Sequence, residues 1–245
     1  MNLLSLTPFF SYRKEDFRLK NRILIYFFYL FLLVPNLLVA KPILVSLGLD
    51  CQVAMKTREF KIRNGAFPFD WVISDDFESV IAAIEDNFKH WLDPKYLQYK
   101  DYQIFNSLYG ISFVHDFPVL NESKKPKLSN FEIIDPNFLG SLTSITQKHD
   151  RRIERLFSLL NSSEELIFIR TEATPSQAKR FVNLIKQRYP KLVFKLVVIC
   201  PPKLLNVDWN IDGVENFYGM DAGMHPWWWG NQTWEHVFKQ LKLID

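Results

Sequence analysis

The two residues best suited to nucleophilic chemistry are Cys51 and His115. Cys51 follows a glycine turn at Gly48 and stands at the start of a predicted helix. A thiol at the first turn of a helix lies near the positive end of the helix dipole, and a nearby imidazolium would stabilise its thiolate further. His115 would then be the general base or the ion-pair partner, and backbone N–H groups of residues 49–52 would hold an oxyanion. If the chain is an enzyme, we therefore expect its reactive centre to be Cys51 with His115.

Both residues also have an ordinary structural interpretation. A lone cysteine at a strand-turn-helix junction is more often a packed small residue than a nucleophile, and a lone histidine at the end of a strand is usually structural as well. Cys51 and Cys200 could also form one disulfide bridge if the domain is exported, which would leave a non-enzymatic binding module. Two cysteines are too few for a disulfide scaffold or a four-cysteine zinc site, and we expect neither a metal nor a cofactor.

Three further polar residues are candidates for the same site. Asp70 lies between two aromatic residues, so it is expected to be partly buried and to need a donor. It could orient the histidine as the third catalytic group, for which Glu172 is the other candidate, or it could anchor its loop to a backbone N–H or to Arg63. Arg170 ends an apolar strand and could contact an anionic substrate together with Glu172, although a salt bridge to Glu172 or Glu154 is the simpler role.

The elements that must position these residues alternate between strands and helices. The residue patterns predict strands at 41–48, 110–115, 166–170 and 192–200, and helices at 51–60, 76–87, 151–160, 175–189 and 234–243. Such alternation implies right-handed crossovers and a mainly parallel sheet. We expect a three-layer α/β domain with helices on both faces of the sheet, preceded by one N-terminal hydrophobic helix.

This architecture would bring the candidate residues to one edge. In an open parallel sheet, ligands bind at the carboxyl ends of the strands, where loops and helix N-termini meet. Cys51, His115, Arg170 with Glu172, and Cys200 all lie at or just past the end of a predicted strand. The convergence holds only if these strands are parallel.

The first forty residues have a different character. A basic region at 1–22 precedes an uncharged run at 23–40, which is long enough to cross most of a bilayer. We expect 23–40 to be a signal peptide or a transmembrane anchor, with the single domain at 41–245 membrane-anchored or exported on the non-cytoplasmic side.

The charge balance argues against one class of partner. Residues 41–245 contain equal numbers of acidic and basic side chains, because the net positive charge lies in the N-terminal region. A nucleic-acid-binding domain normally carries its positive charge on the folded surface. We therefore expect no nucleic-acid partner.

Several motifs in order resemble a known family. They are Ser46-Leu47-Gly48-Leu49-Asp50-Cys51-Gln52, Ala66-Phe67-Pro68-Phe69-Asp70-Trp71, Phe113-Val114-His115-Asp116-Phe117, Arg151-Arg152-Ile153-Glu154-Arg155-Leu156 and Phe168-Ile169-Arg170. Together they resemble the "putative papain-like cysteine peptidase" family of bacteria. The resemblance implies a cysteine nucleophile, Cys51, a histidine, His115, and a peptide or other amide substrate. It also makes a papain-like α+β fold the alternative architecture.

A tryptophan-rich segment supports a different function. Residues 227–234 contain four of the seven tryptophans. Aromatic faces stack on sugars, so these residues could form a carbohydrate-binding lip, although core packing or a lid is the simpler use. The alternative enzyme is one that modifies a surface polysaccharide or a sugar phosphate, with Arg170, Asp70 and the tryptophans holding the ligand.

Overall fold

The computed structural model describes residues 41–100, 103–117, 132–133, 142–202, 207–223 and 229–245. The predicted hydrophobic segment 23–40 lies outside these residues. None of the helices in the described part of the chain combines the length and apolar character needed to cross a bilayer.

The helices and strands of the described residues follow one another in a mixed order. The strands are β1 (Ile43–Ser46), β2 (Val72–Ile73), β3 (Leu97–Lys100), β4 (Gln103–Asn106), β5 (Ile111–Phe113), β6 (Glu132–Ile133), β7 (Leu166–Thr171), β8 (Phe194–Cys200) and β9 (Val214–Tyr218). The α-helices are α1 (Gln52–Glu59), α2 (Phe77–Glu85), α3 (Leu142–Leu160), α4 (Pro175–Arg188) and α5 (Asn231–Gln240), and a 3₁₀ turn covers Pro94–Tyr96.

Four of the strands form a parallel sheet in the order β1-β7-β8-β9. Every pairing in it is parallel, with Ser46 opposite Ile169 and Cys200 opposite Tyr218. The carboxyl ends of all four strands therefore lie at one edge. The central strand β7 is buried along its whole length, as expected for a strand covered on both sides. The mixed α/β class with a parallel sheet is confirmed.

Alternate residues of the parallel strands enter two separate hydrophobic clusters. One cluster contains Phe168 and Leu196 together with residues of α4 such as Phe181. The other contains Ile167 and Val197 together with residues of α1 and α5. Because successive strand residues point to opposite faces, these contacts favour helices on both faces. The three-layer arrangement stays a prediction.

A second sheet was not predicted. Its order is β2-β5-β4-β3-β6, and every neighbouring pair in it is antiparallel. The predicted strand at 110–115 is therefore real but belongs to this sheet, as β5. The expectation that His115 follows a strand of the parallel sheet is wrong, because β5 forms its hydrogen bonds with β2 and β4.

Local capping signals explain where two helices begin. Thr174 and Gln177 form a reciprocal capping box at the start of α4, with Pro175 in the first turn. Asp76 caps α2 through the N–H of Glu78. The first half of α3 was missed, because only Ile145 and His149 of its first two turns are buried.

Candidate functional site around Cys51

Cys51 lies where the first strand of the parallel sheet passes into a helix. It occupies the N-cap position of α1 and its side chain is half-buried. The carboxylate of Asp50 accepts a hydrogen bond from the N–H of Gln52 at 2.8 Å, so the first turn is capped by the preceding residue. Cys51 thus lies at the carboxyl edge of the parallel sheet, as predicted.

The turn before Cys51 has an unusual backbone. Gly48 and Leu49 both have positive φ angles, +78° and 63°. A Cβ atom on Gly48 would lie 2.9 Å from Oγ of Ser74, so only glycine fits there without a shift. The N–H of Ser74 donates to the carbonyl of Leu49 at 2.8 Å, which ties the turn to the end of β2. A leucine in the left-handed region persists only where its surroundings hold it, and such positions are frequent at functional sites.

Arg170 holds this turn in place through hydrogen bonds to the residues next to it. Its guanidinium is fully buried and donates to the carbonyl of Leu47 at 3.0 Å, to Oγ and the carbonyl of Ser74, and to the carbonyl of Glu172. Burial lowers the pKa of Arg170 to about 9, so the guanidinium is still charged at neutral pH. The structure therefore assigns Arg170 a bracing role, and the substrate contact predicted for it stays a prediction.

The electrostatic surroundings keep Cys51 protonated. Burial raises the pKa of the thiol, and the negative charge of Asp50 raises it further. The opposing effect of the cysteine's own backbone N–H is smaller. The resting group near neutral pH is therefore a thiol, and nucleophilic attack requires a base that accepts its proton.

The two cysteines are not joined. Cys51 and Cys200 are both free thiols, and Cys200 is completely buried. Burial raises the pKa of Cys200 to about 12. The disulfide on which the non-enzymatic binding module depended is not present in this structure.

His115 lies on the antiparallel sheet, just past β5. Its ring is exposed and meets the ring of Trp71 edge-on, with the two centroids 5.7 Å apart. Among the described residues, no hydrogen bond joins His115 to Cys51. The pairing of these two residues stays a prediction.

Asp70 is almost completely buried and accepts hydrogen bonds from both kinds of donor that the sequence suggested, a backbone N–H and Arg63. Its Oδ2 accepts from Arg63 and, at 2.7 Å, from the N–H of Phe67. Burial raises the pKa of Asp70, and the charge of Arg63 opposes this increase. The anchoring interpretation is confirmed, whereas a catalytic role for Asp70 stays a prediction.

Glu172 follows β7 at the same edge as Cys51. It has a positive φ of 59°, and its N–H donates to the carbonyl of Ile199 at 2.9 Å. Its carbonyl accepts from the side chain of Arg170. These contacts concern the backbone, so the substrate-binding role predicted for the Glu172 carboxylate stays a prediction.

Gln52 is the residue of this site that the sequence analysis missed. Its side chain is fully buried, and its Oε1 accepts from the N–H of Trp229 and from the indole N–H of Trp234, both at 3.0 Å. Gln52 therefore joins the start of α1 to α5. A polar residue on the buried face of a short helix was the sequence signal that could have identified Gln52.

Both of these tryptophans, Trp229 and Trp234, are buried, as core packing requires, and residues 224–228 lie outside the described residues.

No group of three or more His, Cys, Asp or Glu in the described part of the chain could hold a metal ion. The structure places the half-buried thiol of Cys51 at the carboxyl edge of the parallel sheet.

The chain is similar in sequence to a known protein family and to a viral protein. Residues 43–200 match the family described as "Putative papain-like cysteine peptidase". A protein of Acanthamoeba polyphaga mimivirus, the uncharacterized protein R408, is 24% identical over 157 residues, which is 56% of this chain. The match covers 64% of that viral protein, just under two thirds of its length. No solved structure matches the chain. The family match extends over more than half of the sequence and contains the Cys51 turn, and the chain therefore belongs to the "Putative papain-like cysteine peptidase" family.

Proposed function

We propose that this chain is a cysteine hydrolase whose nucleophile is Cys51. The observation that carries the proposal is the position of Cys51 at a braced strand-turn-helix junction, at the carboxyl edge of a parallel sheet. Membership of a family described as cysteine peptidases supports the same reaction class. Cys51 is also the more accessible of the two thiols, because Cys200 is sealed in the core.

The bracing of the turn supports a positioning role. Hydrogen bonds from Arg170 to the carbonyl of Leu47 and from Ser74 to the carbonyl of Leu49 hold the backbone on both sides of Gly48, and Gly48 and Leu49 are in the left-handed conformation. A nucleophile that is held in place loses little entropy on reaching the transition state. The N–H of Gln52 is already bonded to Asp50, and the N–H of Cys51 is proposed as an oxyanion donor.

The proposed reaction has two stages. The Cys51 sulfur attacks a carbonyl carbon of an amide or ester while a base takes the thiol proton, and that proton is then given to the leaving group. Water hydrolyses the resulting thioester and regenerates the thiol. His115 is the proposed base, and this assignment is supported by the family description rather than by a contact in the structure. A peptide is the proposed substrate on the same ground.

A small activated ester tests the reaction class without a known substrate. Full-length protein is incubated with p-nitrophenyl acetate, and the acetylated residue is identified by peptide mass spectrometry. We expect acetylation of Cys51 followed by turnover, both abolished in Cys51→Ala and both retained in the matched control Cys200→Ala. Equal hydrolysis by Cys51→Ala and the wild type would rule out Cys51 as the nucleophile.

The role of His115 is tested separately in the same assay. If His115 takes the thiol proton, His115→Gln slows acetylation by a factor of about 10² or more. Unchanged acetylation in His115→Gln, with loss in Cys51→Ala, would retain the nucleophile and eliminate His115 as its base.

A further inference from the structure

Two guanidinium groups and one imidazole ring lie around the partly buried indole ring of Trp71. The guanidinium carbons of Arg58 and Arg63 lie 5.9 and 5.6 Å from the ring centroid of Trp71. The ring of His115 meets Trp71 edge-on at 5.7 Å. We call Arg58, Arg63, Trp71 and His115 the arginine–tryptophan cluster.

Arg63 is held in place from inside the protein. Its Nη2 donates to Asp70, whose side chain is only 2% exposed and is bonded in turn to the N–H of Phe67. One end of the guanidinium is thus fixed by a buried carboxylate. The Arg63 side chain remains 19% exposed, so the rest of its planar donor edge is partly available to a ligand.

Arg58 differs from Arg63 in its exposure and in having no salt bridge among the described residues. Its side chain is exposed, and within the described ranges no carboxylate lies close enough to form a salt bridge with it. The contact with Trp71 holds an unneutralised guanidinium at the surface. A charge that is positioned but not paired is available to an anion from solution.

More positive charge lies next to the cluster. Arg155 donates to the carbonyl of Ala66 at 2.5 Å, and Lys148 and Arg152 lie beside Asp116. Burial lowers the pKa of Arg152, and the charges of Arg63 and Arg155 act in the same direction. The contacts described here involve five cationic side chains and two carboxylates, Asp70 and Asp116, whereas residues 41–245 are neutral as a whole. Cationic side chains are therefore in excess among these contacts.

We propose that the arginine–tryptophan cluster binds the phosphoryl group of a phosphorylated ligand. Guanidinium groups present paired N–H donors that match phosphate oxygens, and an indole face can pack against the group that carries the phosphate. The neutral domain argues against a nucleic-acid backbone, which is bound through an extended basic surface.

Arg58 of this cluster lies on the same face of α1 as the candidate nucleophile. Arg58 follows Cys51 by about two helical turns, which places it about 10 Å farther along the helix axis. The phosphoryl site could therefore recognise an anionic part of a substrate held at Cys51. Binding itself does not depend on the proposed thiol chemistry.

Calorimetric titration of the full-length protein, in a buffer without phosphate, tests the site. The probes are phenyl phosphate and inorganic phosphate. We expect saturable binding of at least phenyl phosphate, and an affinity loss of about tenfold or more in Arg58→Gln, since a charged hydrogen-bonding partner is removed. Lys179→Gln removes the same charge from the exposed face of α4 and is expected to leave the affinity unchanged.

Three results separate the outcomes. No saturable binding of either probe, or equal affinities in Arg58→Gln and the wild type, would overturn the proposal. Cys51→Ser must bind as the wild type does, so a failed thiol reaction leaves this test intact. Because Arg58 is exposed, its variant should keep the wild-type unfolding midpoint, which excludes misfolding as the cause of weaker binding.

The source of the phosphoryl group is decided with vesicles. Sedimentation is compared for vesicles of phosphatidylcholine alone and of phosphatidylcholine with phosphatidic acid. Additional binding to phosphatidic acid that Arg58→Gln abolishes identifies a lipid headgroup as the source. Arg58-dependent binding of phenyl phosphate without such a difference identifies a soluble phosphorylated molecule.

Discussion

The indole N–H of Trp91 donates to Nδ1 of His149 at 2.8 Å, and both side chains are buried. An indole nitrogen can only donate, so Nδ1 must be the acceptor and the ring proton lies on Nε2. Nε2 in turn lies 2.9 Å from Oδ2 of Asp116, to which it donates. The network therefore holds His149 as one neutral tautomer and joins α3 to the loop after β5.

This arrangement predicts how stability depends on pH. Burial lowers the pKa of His149 in the folded chain, with Asp116 opposing the decrease. The unfolded chain binds a proton at the ordinary histidine pKa of about 6.5, so acid favours unfolding through this residue. We expect the free energy of unfolding in urea to fall as the pH is lowered from about 7 to about 5.

The matched control for this prediction is His149→Gln, which retains an acceptor for Trp91 and a donor for Asp116. Its stability should change less over the same pH interval. An identical pH dependence in the variant and the wild type would show that His149 is not responsible. Asp116 also contributes to the loss of stability in acid. Its pKa is lowered by its hydrogen bond from His149 and by Lys148 despite its burial, so its contribution to stability is lost in a lower interval, below about pH 4.

The two thiols should differ in reactivity. Cys51 is half-buried, whereas Cys200 is completely buried and its pKa is raised to about 12. Native protein should therefore react with iodoacetamide at Cys51 alone, and the reaction should become faster as the pH rises. Peptide mass spectrometry identifies the labelled residue, and urea-unfolded protein serves as the control in which both cysteines react. Labelling of Cys200 in native protein would contradict this assignment.

Asp50 is predicted to slow the reaction of Cys51. Its charge raises the pKa of the thiol, so Asp50→Asn should lower that pKa and accelerate alkylation at about pH 8. Asparagine keeps an oxygen that can accept from the N–H of Gln52, so the start of α1 should be preserved. Asp75→Asn, at an exposed position whose charge does not contribute to the pKa of Cys51, is the control and should leave the rate unchanged. A rate in Asp50→Asn no higher than in the wild type would show that the charge is screened.

Gly48→Ala should destabilise the protein. The substitution forces alanine into a positive φ of +78° and brings its Cβ to 2.9 Å from Oγ of Ser74. We expect a loss of about 2 kcal/mol or more in the free energy of unfolding. Gly65→Ala is the control, because its Cβ would meet only the flexible side chain of Arg155. Equal stabilities of the two variants in urea would contradict the strain assigned to the Cys51 turn.

Much of the parallel part of the fold follows from local sequence. The strands at β7 and β8 are apolar runs, and Thr174 with Pro175 and Gln177 specifies the start of α4 through contacts between near neighbours. The glycine turn before Cys51 could be predicted for the same reason, since Gly48 stands directly after an apolar strand. The anchoring of Asp70 also follows, because a carboxylate between aromatic residues must find a donor nearby.

The antiparallel sheet could not be predicted from local sequence in the same way. Its strands β2 and β6 contain two residues each, and β3 and β4 are partly exposed and mix polar with apolar residues. So short a segment has no periodicity that distinguishes it from a loop. Its structure depends on hydrogen bonds to strands distant in the chain.

The amino-acid sequence by itself determined the alternating elements, the glycine turn and the presence of one thiol at a helix start, whereas the left-handed backbone of Leu49 appeared only in the structure. Only the tertiary structure decided that β5 pairs with β2 in an antiparallel sheet, which places the ring of His115 against that of Trp71. The reason is physical: periodicity reports which face of a strand is buried, whereas its partner is chosen by backbone hydrogen bonds that any sequence can form.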